Sequence, residues 1–162
     1  MSEPRHPHSP AADPPVLDAN ALRRLADAAN RHPARAPCRC GVGACPAWES
    51  VTEERWPKAQ LPRVGTLRPA DGSDPGFEEY HPNGTRYSSP EAPVAPGHFP
   101  YHRCDAFQCT DCQRVLLRYT EYGGYYVDHR VREVHAAQVV EIKPQLRGSF
   151  PGLRNQRLAR RR

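Results

Sequence analysis

Apolar residues along this 162-residue chain are sparse and fall into a few groups, which predict short elements separated by proline-rich stretches. Leu22, Leu25, Ala26 and Ala29 recur at the i, i+3, i+4, i+7 spacing of an amphipathic helix. Asp18 stands where an N-cap is needed, Leu17 and Leu22 are placed for a hydrophobic staple, and His32-Pro33 ends the helix. A second short helix is predicted from Pro46, setting Trp48, Val51, Arg55 and Trp56 along one side before Pro57 stops it. The pattern changes to period two in RVLLRYTEYGGYYVDHRVREV (114–134), where two β-branched and aromatic runs flank Gly123-Gly124. A two-residue turn there pairs Tyr122 with Tyr125, Thr120 with Val127 and Leu116 with Val131, while the other face pairs Tyr119 with Asp128 and Leu117 with Arg130. The stretch FEEYHPNGTRY (77–87) predicts a second hairpin around Asn83-Gly84, and residues 135–142 predict one further short element. Neither face of the main hairpin is wholly apolar. A lone two-stranded hairpin is marginal in water, so it needs another sheet, a helix or a metal staple beside it.

Composition explains why the elements are short. Leu, Ile, Val and Phe together make up 16% of the chain, and there are 19 prolines, which cannot sit inside helices or central strands. The expected organisation is a disordered arm over 1–15, a helical and cysteine-containing segment with a Pro-rich linker over 16–76, a zinc-ribbon-like β body over 77–142 and a basic flexible tail over 143–162. The fold class is accordingly small α+β: antiparallel hairpins with a zinc-knuckle cysteine site, one or two short N-terminal helices and long Pro-rich loops. No apolar run approaches the ~18 residues that cross a bilayer, and MSEPRHPHSP has no hydrophobic signal core. The expectation is a cytoplasmic protein with no membrane partner.

The formal charge of +5 points to nucleic acid until it is divided along the chain. Residues 143–162 carry seven basic and no acidic residues, which leaves the first 142 with a net charge of −2. Arg154, Arg157, Arg160, Arg161 and Arg162 are therefore the candidates for salt-sensitive nucleic-acid contacts, or simply a solubilising end. Of the 23 basic residues 21 are arginine, a bias that GC-rich coding produces without a functional cause. Tyr119, Tyr122, Tyr125 and Tyr126, interleaved with Arg114, Arg118, Arg130 and Arg132, could stack bases and touch phosphates. Glu121, Asp128 and Glu133 interrupt that field, and tyrosine and arginine also suit any half-exposed strand.

Six cysteines lie in two triplets, Cys38, Cys40 and Cys45 in CRCGVGAC and Cys104, Cys109 and Cys112 in CDAFQCTDC. In a reducing compartment such clustering favours metal ligation over disulfides. Cys109-Thr-Asp-Cys112 directly before the hairpin has the arrangement of a zinc knuckle, in which two thiolates three positions apart converge on one tetrahedral ion. Cys104 is near enough to be a third ligand, and the fourth comes from Cys38, Cys40, Cys45, His98 or His102, with a first-triplet cysteine favoured because it would fasten the N-terminal segment to the hairpin. A six-thiolate cluster holding two metals is the wider version. The plain alternative is that the thiols are small buried hydrophobes. Disulfide exchange at Cys109 and Cys112 is disfavoured because a strand, not a helix, follows them. No phosphate-binding glycine loop or catalytic constellation stands out, so an enzyme is not expected.

The string EYHPNGTRY…FPYHRC…CTDC…LRYTEYGGYYVDHRVR resembles a family of small proteobacterial cysteine-knuckle proteins, over roughly residues 77–140. The resemblance implies a bacterial cytoplasmic protein centred on Cys104, Cys109, Cys112 and the Gly123-Gly124 hairpin, and brings no activity with it. Such proteins are also similar to accessory or immunity proteins encoded beside bacterial toxins. The function expected is a non-enzymatic, zinc-stapled module that binds another protein through Tyr119, Tyr122, Tyr125 and Tyr126 with Trp48 and Trp56. The alternative is a zinc-ribbon nucleic-acid binder using the arginine tail and the hairpin.

Overall fold

A computed structural model of the chain describes residues 13–31, 38 and 40–142; residues 1–12, the His32-Pro33 helix stop and the tail with Arg154, Arg157, Arg160, Arg161 and Arg162 lie outside the described residues. The fold is small α+β, with one helix, α1 (Ala19–Asn30), and one antiparallel sheet. Its strands are β1 (Glu49–Ser50), β2 (Arg63–Thr66), β3 (Asp105–Gln108), β4 (Val115–Tyr122) and β5 (Val127–Glu133), ordered β1-β5-β4-β3-β2. The sheet thus draws strands from both sides of the expected division at residue 76, and the two stretches share it.

The helix forms for the reasons the sequence offers. Asp18 caps it, its carboxylate accepting the Ala21 N–H at 2.6 Å, and Ala19, Leu22, Ala26 and Ala29 form the buried stripe. Leu22 is fully buried, a contribution of roughly 1.5–3 kcal/mol for a side chain of that size. Ahead of the cap, the chain runs along the open edge of β2: the Leu17 N–H donates to the Thr66 carbonyl at 2.8 Å and the Thr66 N–H to the Pro15 carbonyl at 2.9 Å.

The sheet is covered on both faces by separate clusters. Val115, Leu117, Tyr119 and Val134 face α1 and an aromatic group in which Trp48 packs on Tyr87, Tyr101 and Tyr119. Leu116 and Val131 face Cys40, Val42, Cys45, Val51, Trp56, Leu61, Cys109 and Cys112. Arg132 sits fully buried on the aromatic side, donating to the Tyr101 hydroxyl at 2.6 Å and to the carbonyls of Ala92 at 2.7 Å and Pro90 at 3.0 Å. It holds the irregular proline-rich stretch of residues 88–100 against the sheet.

Three expectations are corrected. The main hairpin pairs Tyr122 with Val127, Thr120 with His129, Tyr119 with Arg130 and Leu117 with Arg132, so its register is displaced by two residues. Neither Gly123 nor Gly124 takes the positive φ that a two-residue turn demands, and a four-residue loop closes instead on the Gly123 N–H to Tyr126 carbonyl bond of 2.9 Å. A displacement of two keeps every side chain on its predicted face. The helix expected after Pro46 is instead the edge strand β1 followed by a single 3₁₀ turn, Glu53–Arg55, because Glu49 and Ser50 find partners in Val131 and Arg130. Around Asn83-Gly84 there is a turn, with the Gly84 N–H donating to the His81 carbonyl at 3.2 Å, but no flanking strands. The further element after residue 134 is present as the 3₁₀ turn Ala136–Gln138.

β2 lies in the stretch read as linker, and its Gly65 is dictated by proximity. A Cβ at that position would meet Leu17 Cγ and Cδ1 at 2.5 Å. Gly65→Ala is expected to push the pre-helix segment off β2 and cost about 1–3 kcal/mol, as overpacking generally does. Urea unfolding of the variant measures this, and an unchanged midpoint would show that the contact does not constrain the fold.

Candidate metal centre

The second cysteine triplet divides between the two faces of the sheet. β3 ends at Gln108, and the chain reverses through Cys109 to Arg114 into β4; the Cys109 N–H donates to the Arg114 carbonyl at 3.0 Å and the Gln113 N–H to the Cys109 carbonyl at 2.9 Å. Gln113 accepts a left-handed φ of 62° to close this knuckle, and its side-chain amide donates to the Thr110 carbonyl at 3.0 Å. Cys109 and Cys112 consequently point to the same side. Cys104, one residue before β3, lies in the cluster on the opposite face, its thiol 3.4 Å from the Pro100 carbonyl. The sheet itself separates Cys104 from the other thiols.

The first triplet comes to the knuckle from the far end of the sequence. Positive φ angles of 77° at Gly41 and 80° at Gly43 curl the loop tightly enough to return Cys40 toward the sheet. The Glu133 N–H donates to the Cys45 carbonyl at 2.7 Å, tying the loop to the end of β5. Cys38 Sγ then lies 3.5 Å from Cys109 Sγ, and the sulfurs of Cys38, Cys40 and Cys109 are all within 4.8 Å of one another. Cys112 lies on the same face, next to Cys38 and Cys109, but outside this three-sulfur group. Zn–S bonds of 2.3 Å in a tetrahedron place sulfurs about 3.8 Å apart, which matches this spacing. The group of Cys38, Cys40 and Cys109 could hold a metal ion, and Cys112 is the candidate for a fourth ligand.

Burial pushes the Cys38 thiol well up, aided by its hydrogen bond with Cys112. Cys112 is also raised, chiefly by burial. Burial acts the same way on Cys109, but the amides of Cys112 and Asp111 and the thiols of Cys38 and Cys112 outweigh it and hold Cys109 below its usual value. Burial takes Cys45 up to about 11, against the pull of Arg114, and its thiol faces the Val42 carbonyl at 3.9 Å. Burial likewise pushes Cys104 well above the usual thiol range.

A participant that the sequence reading counted only as a hairpin arginine is Arg114. Its guanidinium is buried, donates to Cys40 Sγ at 2.8 Å and to the Gly43 carbonyl at 2.6 Å, and lies 3.6 Å from Glu133. A four-thiolate zinc site carries a net charge of −2, and a buried cation against one sulfur offsets part of that. The signal was present in the sequence as a basic residue two positions after Cys112.

The two histidines considered as ligands are elsewhere. His98 stacks near Tyr80, and His102 Nε2 lies 3.1 Å from Asp74. The expected contact aromatics separate as well: Tyr122, Tyr125 and Tyr126 are exposed, whereas Tyr119, Trp48 and Trp56 are buried. Trp56 lies edge-on to Phe107 with the Arg118 guanidinium 4.6 Å from its ring centroid, which removes it from the surface. No helix among the described residues is long and apolar enough to cross a membrane. Comparison with family models, curated proteins and solved structures finds no match.

Replacing Arg114 with Met removes the cation and keeps much of the volume. The expected result is a metal affinity lower by about 10–100-fold, the usual penalty for losing an outer partner of a metal site. Competition against a chromophoric chelator measures it, and an unchanged affinity would mean the guanidinium does not tune the thiols.

Proposed function

We propose that the chain is a non-enzymatic, zinc-stapled protein-interaction module. The observation that carries this reading is the convergence of Cys38, Cys40 and Cys109 from segments about 70 residues apart in sequence, with Cys112 on the same face to complete a set of four. All-thiolate sets are soft and select zinc among common intracellular divalent ions. With Cys112 as the fourth ligand, the site would be closed to substrate, as structural zinc sites are. The metal's role is then mechanical: it clamps the 38–45 loop over Leu116 and Val131 and supplies part of the stability that the small core lacks.

The interaction half of the reading rests on the outer part of the hairpin. β3 pairs with β4 only as far as Arg118, and the chain beside β5 reaches no further than the Val51 N–H bond to the His129 carbonyl, so the arm of residues 121–127 extends past both neighbours. Tyr122, Tyr125, Tyr126 and Val127 are its exposed apolar residues. Exposed aromatics on a rigid scaffold offer large contact area at low entropic cost. The hairpin arginines do not favour nucleic acid. Arg118 is paired with Glu53, Arg130 is bonded to Asp128, Ser50 and Tyr87, Arg132 is buried and Arg114 is engaged at the thiols.

Purified protein is expected to contain one zinc per chain by elemental analysis, and Cys38→Ser, Cys40→Ser, Cys109→Ser and Cys112→Ser each to lose it, while Cys104→Ala keeps it. Chelation should abolish cooperative unfolding or lower its midpoint by several degrees. Protein lacking stoichiometric zinc, with folding indifferent to chelator, would overturn the metal half. Tyr125→Ala with Tyr126→Ala should leave the midpoint within about 0.5 kcal/mol of the parent, as exposed substitutions usually do, and calorimetric or urea unfolding checks this.

A further inference from the structure

Among the described residues, the outer half of β4 has an unpaired edge. In an antiparallel sheet the backbone groups of one strand point alternately to its two neighbours. The Val134 N–H donates to the Val115 carbonyl at 3.0 Å, so odd-numbered residues of β4 bond to β5. The His129 carbonyl accepts from the Val51 N–H at 2.9 Å, facing β1, so its partner Thr120 faces away from β5. Even-numbered Leu116 and Arg118 spend their groups on β3, whose pairing ends at Asp105 opposite Arg118. Immediately before it the Cys104 carbonyl turns to the Leu67 N–H at 2.9 Å, and the chain leaves the sheet. The N–H and C=O of Thr120 and Tyr122 therefore point outward, and among the described residues no backbone or side-chain partner meets them.

This edge does not face open solvent. It forms one wall of a cleft of about 490 Å³, whose other walls include Arg68, Asp74, His102 and Arg103. Asp74 with its loop neighbours and His102 with Arg103 line the cleft beside Thr120 and Tyr122, so an incoming extended segment would lie between them and the edge. The charges in the cleft are unequal. Asp74 is the single carboxylate, already accepting from Arg103 at 2.7 Å and lying 3.1 Å from His102. Arg68 is exposed, with its nearest acidic group, Asp105, at 3.6 Å. Asp105 is shared between Arg68 and Arg63, the latter at 3.7 Å, so Arg68 keeps part of its charge for an acidic ligand.

We infer that this cleft accepts an extended, acidic peptide segment of a partner protein, which adds as a strand to β4 at Thr120 and Tyr122. The inference rests on the protein-interaction reading and specifies it. The peptide backbone would fill the place that β3 vacates, exchanging N–H and C=O groups with those of Thr120 and Tyr122, and an acidic side chain would lie against Arg68 and Arg103. Strand addition supplies affinity through main-chain bonds, so sequence preference would come from the alternate side chains that enter the cleft.

The test is selection of a phage-displayed random library, with inserts of about twelve residues, against the full chain. Enriched peptides should share an Asp or Glu within a run of β-forming residues. Thr120→Pro deletes one outward N–H without touching the bonds to β5, a position where an edge strand tolerates proline, and should weaken the selected peptides about tenfold or more. Thr120→Val keeps the N–H and should bind as the parent does. Should the proline variant fail to fold, Arg68→Glu at an exposed position should produce a similar loss, and amide exchange of Thr120 and Tyr122 in the parent should slow on peptide binding. Peptides that lack acidic residues, that bind Arg68→Glu undiminished, or that leave those two amides exchanging freely would each overturn strand addition. So would a dimer that forms through this edge and dissociates in Thr120→Pro. Peptides lost on Tyr125→Ala with Tyr126→Ala but indifferent to Thr120→Pro would sink this inference alone. Absence of any enriched peptide would count against it and against the interaction reading together.

Discussion

A sheet that carries apolar residues on both faces must be covered twice, and this chain has little with which to do it. Large aliphatic and phenylalanine residues are 16% of the sequence, well below what a two-layer core of this size ordinarily uses. The covering of Leu116 and Val131 by the 38–45 loop is the contact on which the rest depends. That loop has no regular structure, and its apolar content is chiefly Val42 with three cysteines. Hydrophobic burial by one valine and a few thiols is worth only a few kcal/mol, less than the entropy lost in ordering the segment. The thiols of Cys38, Cys40 and Cys109, close enough to share a metal ion, are the chemistry available to make up the difference.

The opposite face meets the same shortage with polar chemistry. Arg132 lies where an aliphatic residue would be expected, and burial lowers its tendency to stay charged. Its three hydrogen bonds go to two backbone carbonyls and to the Tyr101 hydroxyl, whose own titration burial pushes up to about 12. A guanidinium can satisfy several carbonyls at once from a fixed plane, which suits an irregular proline-rich stretch whose carbonyls have no strand to bond to. Aromatic packing of Trp48, Tyr87, Tyr101 and Tyr119, closed by the 2.7 Å contact between the Tyr87 and Tyr119 hydroxyls, fills the remaining volume. The protein replaces missing aliphatic core with thiols on one side and with arginine and aromatics on the other.

Local chemistry was legible in the sequence, and long-range partnership was not. Asp18, Leu17 and Leu22 announced α1 because capping and stapling act within one turn. The hairpin and the faces of its residues were likewise visible, because period two survives a displacement of two residues; the register itself depended on the turn, and two glycines do not fix its length. β1 and β2 were invisible because two- and four-residue strands carry no periodicity, and each exists only through a neighbour far along the chain. At the thiols, Cys109 and Cys112 could be paired from spacing alone. Which other thiols join them depends on which face each reaches, and Cys104 and Cys109 are five positions apart across a four-residue strand that places them on opposite sides.

The two covering layers also explain where an interaction surface can be. Both end near the same line across the sheet, with α1 and the aromatic group over one face of the inner hairpin and the cysteine loop over the other. β4 runs to Tyr122, four residues beyond the last partner in β3. Core packing does not require those residues, since Tyr122, Tyr125, Tyr126 and Val127 bury little against the body. A strand extended past its own cover keeps apolar side chains and outward backbone groups in water, an arrangement that invites pairing unless something guards it. Beside this edge lie the turn at Tyr101–Arg103 and the loop at Asp74, which line a cleft with Thr120 and Tyr122, so whatever pairs with the strand must first fit between it and those two segments.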